Sequence, residues 1–290
     1  MEWLSLANRV IRRSLIARGI SSEVARVRGV DVHFYRAEGT GEGPPLMLVH
    51  GLGSSANAFF RTLGPLAKTF SSVFAVDLPG NGFSPMPTGG PLALREQVAV
   101  LLEFRARVIG QPVFLLGNSL GGGMALNMAF HEPQSLRALG LVSPAGAKIT
   151  EARFQELLAS FQVKDAKGAR VLAHKLFVKP PLSLLLFADE LRKMMSSETV
   201  KSIVAGSSPA DLLQGEELTK LSMPTLLIWG QSEKLLPYEG LDFFRAHLPA
   251  HAEIHEVKGF GHMPQMEHPH AFVERVRKFA VTHGLGHAVA

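Results

Sequence analysis

The sequence predicts an α/β fold, with a mostly parallel central sheet, helices on both faces and an inserted helical cap. Three observations carry this expectation. Short, continuously apolar runs recur along the chain, each ending at a Gly, Ser, Asp or His. Helix-length segments separate most of them. One interval of about 75 residues, Ala147 to Leu221, breaks that alternation. Runs of this kind suit strands buried on both faces of a parallel sheet, and strand–helix alternation is the pattern of a sheet covered on both sides.

Met1 to Gly19 carries Trp3, Leu4, Ala7, Val10, Ile11, Leu15 and Ile16 near helical spacing, with Arg9, Arg12, Arg13 and Arg18 interleaved. This predicts a basic amphipathic helix over residues 1–22. Its longest uncharged stretch, Trp3 to Asn8, is too short for the apolar core of a signal peptide. Two outcomes are open. Either the stripe packs on the protein's own surface, or residues 1–19 make weak contact with a membrane surface or line the substrate entrance.

From Glu23 the period changes to two. Val24–Arg28 and Val30–Tyr35 around Gly29 predict a hairpin or a pair of edge strands. The buried strands follow at Leu46–Val49, Val73–Val76, Val113–Leu116, Leu139–Val142, Thr225–Trp229 and Ala252–Val257. Helices are expected over Leu92–Ile109, Leu120–His131, Gly240–His247 and Pro269–Val281. The core is thus assigned to residues 23–146 and 222–290. Residues 147–221 read as a helical cap, because a structureless loop of that length is improbable. Phe154, Leu157, Leu158 and Phe161 have helical spacing there, Pro180-Pro181 interrupts, and Leu182 to Phe187 is strongly apolar.

Composition narrows the function. The 290 residues are 46% hydrophobic and 19% charged, as in a folded protein. The net charge of +5 comes from scattered Lys and Arg, without the basic stripe expected of a nucleic-acid binder. With no cysteine, thiolate nucleophiles, disulfides and Cys-based metal sites are excluded. This fits a cytoplasmic location, with peripheral membrane association as the variant that the N-terminal helix allows. No apolar run approaches the roughly 20 residues that span a bilayer. Oligomeric state is not specified.

Chemistry is sought where the strands end, because open α/β sheets bind ligands beyond their carboxyl ends. After Leu116 comes Gly117-Asn118-Ser119-Leu120-Gly121, a G-x-S-x-G pattern between a buried strand and an apolar helix. A nucleophilic serine must stand clear of the sheet on a sharp turn, and Gly117 and Gly121 remove side chains that would collide. After Val49 comes His50-Gly51-Leu52-Gly53. The backbone N–H groups of Leu52 and Leu120 are the candidate oxyanion donors, and His50 and Gly51 support the turn. A serine hydroxyl needs a base. Of twelve histidines, His262 sits in a Gly-flanked turn after the last strand, whereas His268 and His270 open a helix and His283 and His287 lie in a Gly-rich tail. Glu233 is the first carboxylate after Trp229 and is the candidate partner of His262.

The order Ser119, Glu233, His262 resembles that of the α/β-hydrolase fold family. The resemblance runs from about Val24 to Thr282. It rests on His50–Gly53, Asp77-Leu-Pro-Gly-Asn-Gly-Phe-Ser84, Gly117–Gly122, Trp229–Glu233 and Gly261-His262. Within the family the chain is most similar to serine carboxylesterases and lipases of the monoacylglycerol-lipase-like branch. The resemblance implies hydrolysis of carboxylic esters, with short to medium acyl chains or monoacylglycerol-like substrates, through an acyl-enzyme and without metal or organic cofactor. It also implies a structural turn at Asp77–Ser84. The departure is Glu233, where relatives usually carry Asp. Phe154, Phe161, Phe177, Leu184, Leu185, Phe187, Met194 and Met195 are candidate walls for an acyl chain. The alternative is a carbon–carbon bond hydrolase of the meta-cleavage-product type. That chemistry requires an arginine for the substrate carboxylate, with Arg153, Arg170 or Arg192 available. Epoxide hydrolases and dehalogenases carry Asp at the position of Ser119, and a non-catalytic binding module would not need all three residues.

Overall fold

A computed structural model describes residues 3–286, and for Trp3 and Leu4 the backbone only. The expectations for Met1, His287 and those two side chains lie outside the described residues. Eight strands form one sheet: β1 (Ser21–Val27), β2 (Val30–Glu38), β3 (Leu46–Val49), β4 (Ser72–Val76), β5 (Val113–Asn118), β6 (Leu136–Val142), β7 (Thr225–Gly230) and β8 (Glu253–Val257). Their order is β1-β2-β4-β3-β5-β6-β7-β8. β1 and β2 pair antiparallel as a hairpin, β2 meets β4 antiparallel, and every other pairing is parallel. The hairpin turns on Arg28 and Gly29, both at positive φ (47° and 78°), the backbone that matches the twist of the flanking strands.

Side chains alternate across the sheet as a period of two demands. Met47 and Val49 join one core and Leu46 and Leu48 the other. The first core is closed by α3 (Leu94–Phe104), α4 (Leu120–His131) and α10 (Glu239–His247). The second is closed by α1 (Trp3–Ala17), α2 (Leu63–Ala67) and α12 (Pro269–Thr282), the last preceded by the short α11 (Pro264–Glu267). The expected helix over Leu92–Ile109 runs as α3 and continues as a wider turn over Arg105–Ile109, stopped by Gly110 at φ 78°. Between β6 and β7 lie α5 (Glu151–Phe161), α6 (Ala166–Leu176), α7 (Leu182–Leu186), α8 (Ala188–Met195) and α9 (Glu198–Gly206). This insertion has an apolar cluster of its own, including Leu172, Leu191 and Met195. Leu235, from the loop after β7, joins it.

Several boundaries differ from the sequence reading: β2 runs three residues past Tyr35 to Glu38 and β5 two past Leu116, and the edge strand β8 is half-buried rather than buried. β1 begins at Ser21, so residues 21–22 belong to the sheet rather than the N-terminal helix. β6 begins at Leu136, three residues before the apolar run, because exposed Arg137 interrupts a strand that is otherwise buried. The order of the sheet locates the crevice. The chain leaves β3 toward β4 on one side, then returns to place β5 on the other. The ends of β3 and β5 therefore flank the switch point where such sheets bind ligands.

Candidate active site

Ser119 follows β5 and caps α4 with φ 56° and ψ −121°. Only three non-glycine residues among those described have positive φ. A conformation this disfavoured persists only where the surroundings enforce it. Here they do. The Ser119 N–H donates to Val142 O at 2.9 Å, and its carbonyl accepts from Gly122, Gly123 and Ala145. A Cβ on Gly121 would lie 2.3 Å from Val49 O, and one on Gly117 would lie 2.1 Å from Gly121 O. The turn is therefore packed backbone to backbone against β3 and α4, and Ser119 is left at the wall of a cavity.

The loop after β3 faces Ser119 across this contact. His50 pins it. The Leu78 N–H donates to His50 Nε2 at 3.1 Å, and Nδ1–H donates to Gly51 O at 2.8 Å. That pattern defines a neutral tautomer. Burial, the largest influence, pulls the His50 pKa down against Asp77 and the Gly51 carbonyl. Farther back, buried Asp77 gathers the same loop. Its Oδ1 accepts from Ala56 N–H at 2.6 Å, and its Oδ2 from Phe83 N–H at 2.9 Å and from His33 Nδ1 at 2.7 Å. Ser84 Oγ donates to Asp77 O and accepts from His33 N–H. Asp77 and Ser84 thus hold the loop in place, away from the cavity wall. With the loop fixed, the amides of Leu52 and Leu120 are not consumed by backbone hydrogen bonds among the described residues.

His262 and Glu233 are brought together from loops 29 residues apart. Nδ1 of His262 lies 2.8 Å from Glu233 Oε2, and each side chain is only 3% exposed. The other carboxylate oxygen accepts from the amides of Leu235 at 2.7 Å and Leu236 at 3.1 Å. Burial pushes the Glu233 carboxyl up, but His262 and these two amides outweigh it and hold its pKa below the ordinary carboxylate value. An ionised Glu233 accepts the Nδ1 proton, which leaves the Nε2 lone pair of neutral His262 for the cavity. Glutamate reaches His262 by curling over its own loop, so its extra methylene is absorbed between Glu233 and Leu235.

One residue that sequence reasoning passed over ties these parts together. Asn118 Nδ2 donates to Val142 O at 3.1 Å and to His262 O at 3.0 Å, and its Oδ1 accepts from Gln265 Nε2 at 3.0 Å. This buried clip joins the serine's strand directly to the histidine's loop. Its only sequence signal was adjacency to Ser119, and nothing pointed to Gln265.

The residues 44–269 match a family model described as alpha/beta hydrolase fold. The chain belongs to the alpha/beta hydrolase fold family. A pimeloyl-[acyl-carrier protein] methyl ester esterase of Xanthomonas campestris pv. campestris (strain B100) is 30% identical over 251 residues, covering 82% of this chain and 96% of that protein. Among solved structures, a membrane phospholipase A described as a bacterial virulence factor superposes with a TM-score of 0.82 at 24% identity, covering 97% of this chain and 94% of that one. Carboxylesterase CesB of Bacillus subtilis superposes with a TM-score of 0.76 at 21% identity, covering 96% and 98%.

In this alpha/beta hydrolase the cavity measures about 730 Å³ and lies between the sheet's carboxyl edge, the inserted helices and α1. Leu52, Ser119 and His262 share it with Phe161, Phe177, Leu184, Met194 and Met195. The other expected wall residues lie elsewhere. Phe154 and Leu185 pack away from the cavity, and Phe187 faces solvent. Helix α1 contributes Ser5, Ala7, Asn8, Arg9 and Ile11. It is seated by buried Leu15 and by a chain in which Tyr35 Oη donates to Asn57 Oδ1 and Asn57 Nδ2 donates to Asn8 Oδ1, each at 2.9 Å. None of Arg153, Arg170 and Arg192 lines the cavity. They are engaged with Glu156 and Glu239, with Leu185 O, and with Asp189 respectively. Among the described residues, no group of three or more His, Asp or Glu side chains is placed to hold a metal ion, and no helix is long and apolar enough to cross a membrane.

Proposed function

We propose that the protein hydrolyses carboxylic esters by a serine mechanism through an acyl-enzyme. The observation that carries this reading is the meeting of strained Ser119 and the buried His262–Glu233 pair at one mainly apolar cavity, with two uncommitted amides beside them. In the proposed cycle, His262 Nε2 accepts the Ser119 hydroxyl proton as Oγ bonds to the ester carbonyl carbon. The carbonyl oxygen becomes an oxyanion held by the N–H groups of Leu52 and Leu120. Collapse breaks the ester C–O bond, and the imidazolium protonates the departing alcohol. Water, deprotonated by His262, then attacks the acyl carbon and releases the carboxylic acid and Ser119. Glu233 stays ionised and stabilises the imidazolium.

The substrate is read from the cavity wall. Phe161, Phe177, Leu184, Met194 and Met195 offer dispersion contacts and no charge, which suits a short to medium acyl chain or a monoacylglycerol-like ester. An ester-cleaving relative at 30% identity supports the same bond type. For the alternative, carbon–carbon bond hydrolysis, none of Arg153, Arg170 and Arg192 reaches the cavity, whose cationic lining residues are Arg9 and Lys193.

The test compares p-nitrophenyl butyrate with a ring-fission dienoate, for the parent and for Ser119→Ala. Turnover of the ester, with a loss of roughly 10³-fold or more in the variant, is the expected result. Wild-type rates in Ser119→Ala, or turnover of the dienoate alone, would overturn it.

A further inference from the structure

The cavity opens beside two helices whose outer faces are unusually apolar. Among the described residues, eleven large hydrophobic side chains are exposed. Six of them, Leu6, Val10, Ile16, Leu182, Leu186 and Phe187, lie on α1 or on α7 and the residue that caps it. Those helices have only 15 and 5 residues. Single exposed hydrophobics are ordinary, so this concentration calls for a cause. Both helices also line the cavity, through Asn8 and Ile11 on one side and Ser183 and Leu184 on the other. Each therefore shows one side to the cavity and another to solvent.

The charges on α1 identify what its outer face meets. At about 100° per residue, Ile16, Arg9, Arg13, Leu6 and Val10 fall within an arc of roughly 120° on one side of the helix. Trp3–Ala17 contains no acidic residue. Arg9, Arg13 and Arg18 are exposed and form no ion pair among the described residues. A helix face that alternates bare guanidinium groups with aliphatic side chains fits a surface offering phosphate oxygens above hydrocarbon. A purely apolar protein partner would leave the arginines unpaired.

We infer that α1 and α7 form a docking face for an anionic lipid bilayer, seating the protein with its cavity mouth against the membrane. Leu6, Val10, Leu182 and Leu186 enter the acyl boundary, and Arg13 pairs with headgroup phosphates. The inference extends the ester reading but stands on exposure and charge alone.

The test is co-sedimentation of the full chain with vesicles of phosphatidylcholine, with and without 30% phosphatidylglycerol. Each variant is also assayed for kcat on a soluble p-nitrophenyl ester. The parent is expected to partition at least tenfold more strongly onto the anionic vesicles. Leu6→Asp and Leu182→Asp should each lower that partitioning tenfold or more. Arg13→Ser should lower it by about fivefold, since each basic residue near such a surface contributes about 1 kcal/mol. None of these residues lines the cavity, so soluble-ester turnover stays at the parental level and reports that the variants are folded. A parent that remains in the supernatant at all lipid concentrations, or that binds neutral and anionic vesicles equally, overturns the inference. So do variants that partition like the parent. Loss of ester turnover in a parent that still partitions would instead refute the proposed activity.

Discussion

Removing the Asn118 carboxamide is the most informative single perturbation. Asn118→Ala takes away three buried hydrogen bonds: those to Val142 O, to His262 O and from Gln265 Nε2. Val142 O keeps the Ser119 amide at 2.9 Å. His262 O and Gln265 Nε2 do not gain substitutes, and Gln265 Oε1 already lacks a partner among the described residues. Orphaning a buried polar group costs about 1–3 kcal/mol, so two of them set a loss of roughly 2–6 kcal/mol in unfolding free energy. The same deletion frees the His262 loop from the serine's strand. An ångström of misplacement in a catalytic base lowers turnover by about 10²-fold. The assays are urea unfolding and kcat on p-nitrophenyl butyrate for Asn118→Ala, Gln265→Ala and the double variant. The cycle should return a coupling of about 1–2 kcal/mol between the two residues. Asn118→Ala with parental kcat and a stability change below about 0.5 kcal/mol would refute the clip.

Three further outcomes follow from the geometry. Gly121→Ala sets a methyl group 2.3 Å from Val49 O and 2.6 Å from His50 O; since neither is a flexible side chain, it should cost about 1–3 kcal/mol or more in thermal unfolding experiments and abolish most ester turnover, and a variant with parental activity would contradict the backbone-to-backbone packing. Asp77→Ala leaves His33 and the amides of Ala56 and Phe83 without their acceptor, and a loss of about 3–5 kcal/mol is expected in denaturant titration. Glu233 has a folded pKa below its ordinary 4.5, so its ionisation stabilises the fold above that value and the contribution fades as pH falls through the folded pKa; the stability gap between the parent and Glu233→Gln should therefore be constant from pH 7 to about 5 and close at lower pH, and a gap that widens on acidification would reverse the sign.

How far the sequence spoke for itself depended on the range of the interaction. Leu46–Val49, Val113–Leu116 and Thr225–Trp229 were legible as strands because burial on both faces leaves a continuous apolar run. β6 was legible only from Leu139, since Arg137 reaches solvent and breaks the run. The turn at Ser119 was readable from its glycines, because its strain is local. The Glu233 loop was only half readable. A carboxylate after β7 could be picked out, but not that it would curl onto the amides of Leu235 and Leu236. The Asn118 clip was invisible, because its link to the histidine's loop runs to a carbonyl 144 residues away and to the Gln265 side chain 147 residues away, and no local pattern connects them. For α1, lining of the substrate entrance was one of the outcomes the sequence left open. Its amphipathic period was plain, yet its place in the cavity wall depends on Asn57 and Tyr35, which no local pattern connects to Asn8.

The central claim is that Ser119 becomes acylated during turnover. Acid quenching of the enzyme during p-nitrophenyl butyrate hydrolysis, followed by proteolysis and peptide mass spectrometry, tests this most directly. One butyryl group on the peptide that contains Ser119, absent in Ser119→Ala and accumulating when His262→Ala slows deacylation more than acylation, is the predicted result. Ester hydrolysis at parental rate without any acylated peptide, or with the acyl group on another residue, would contradict the account.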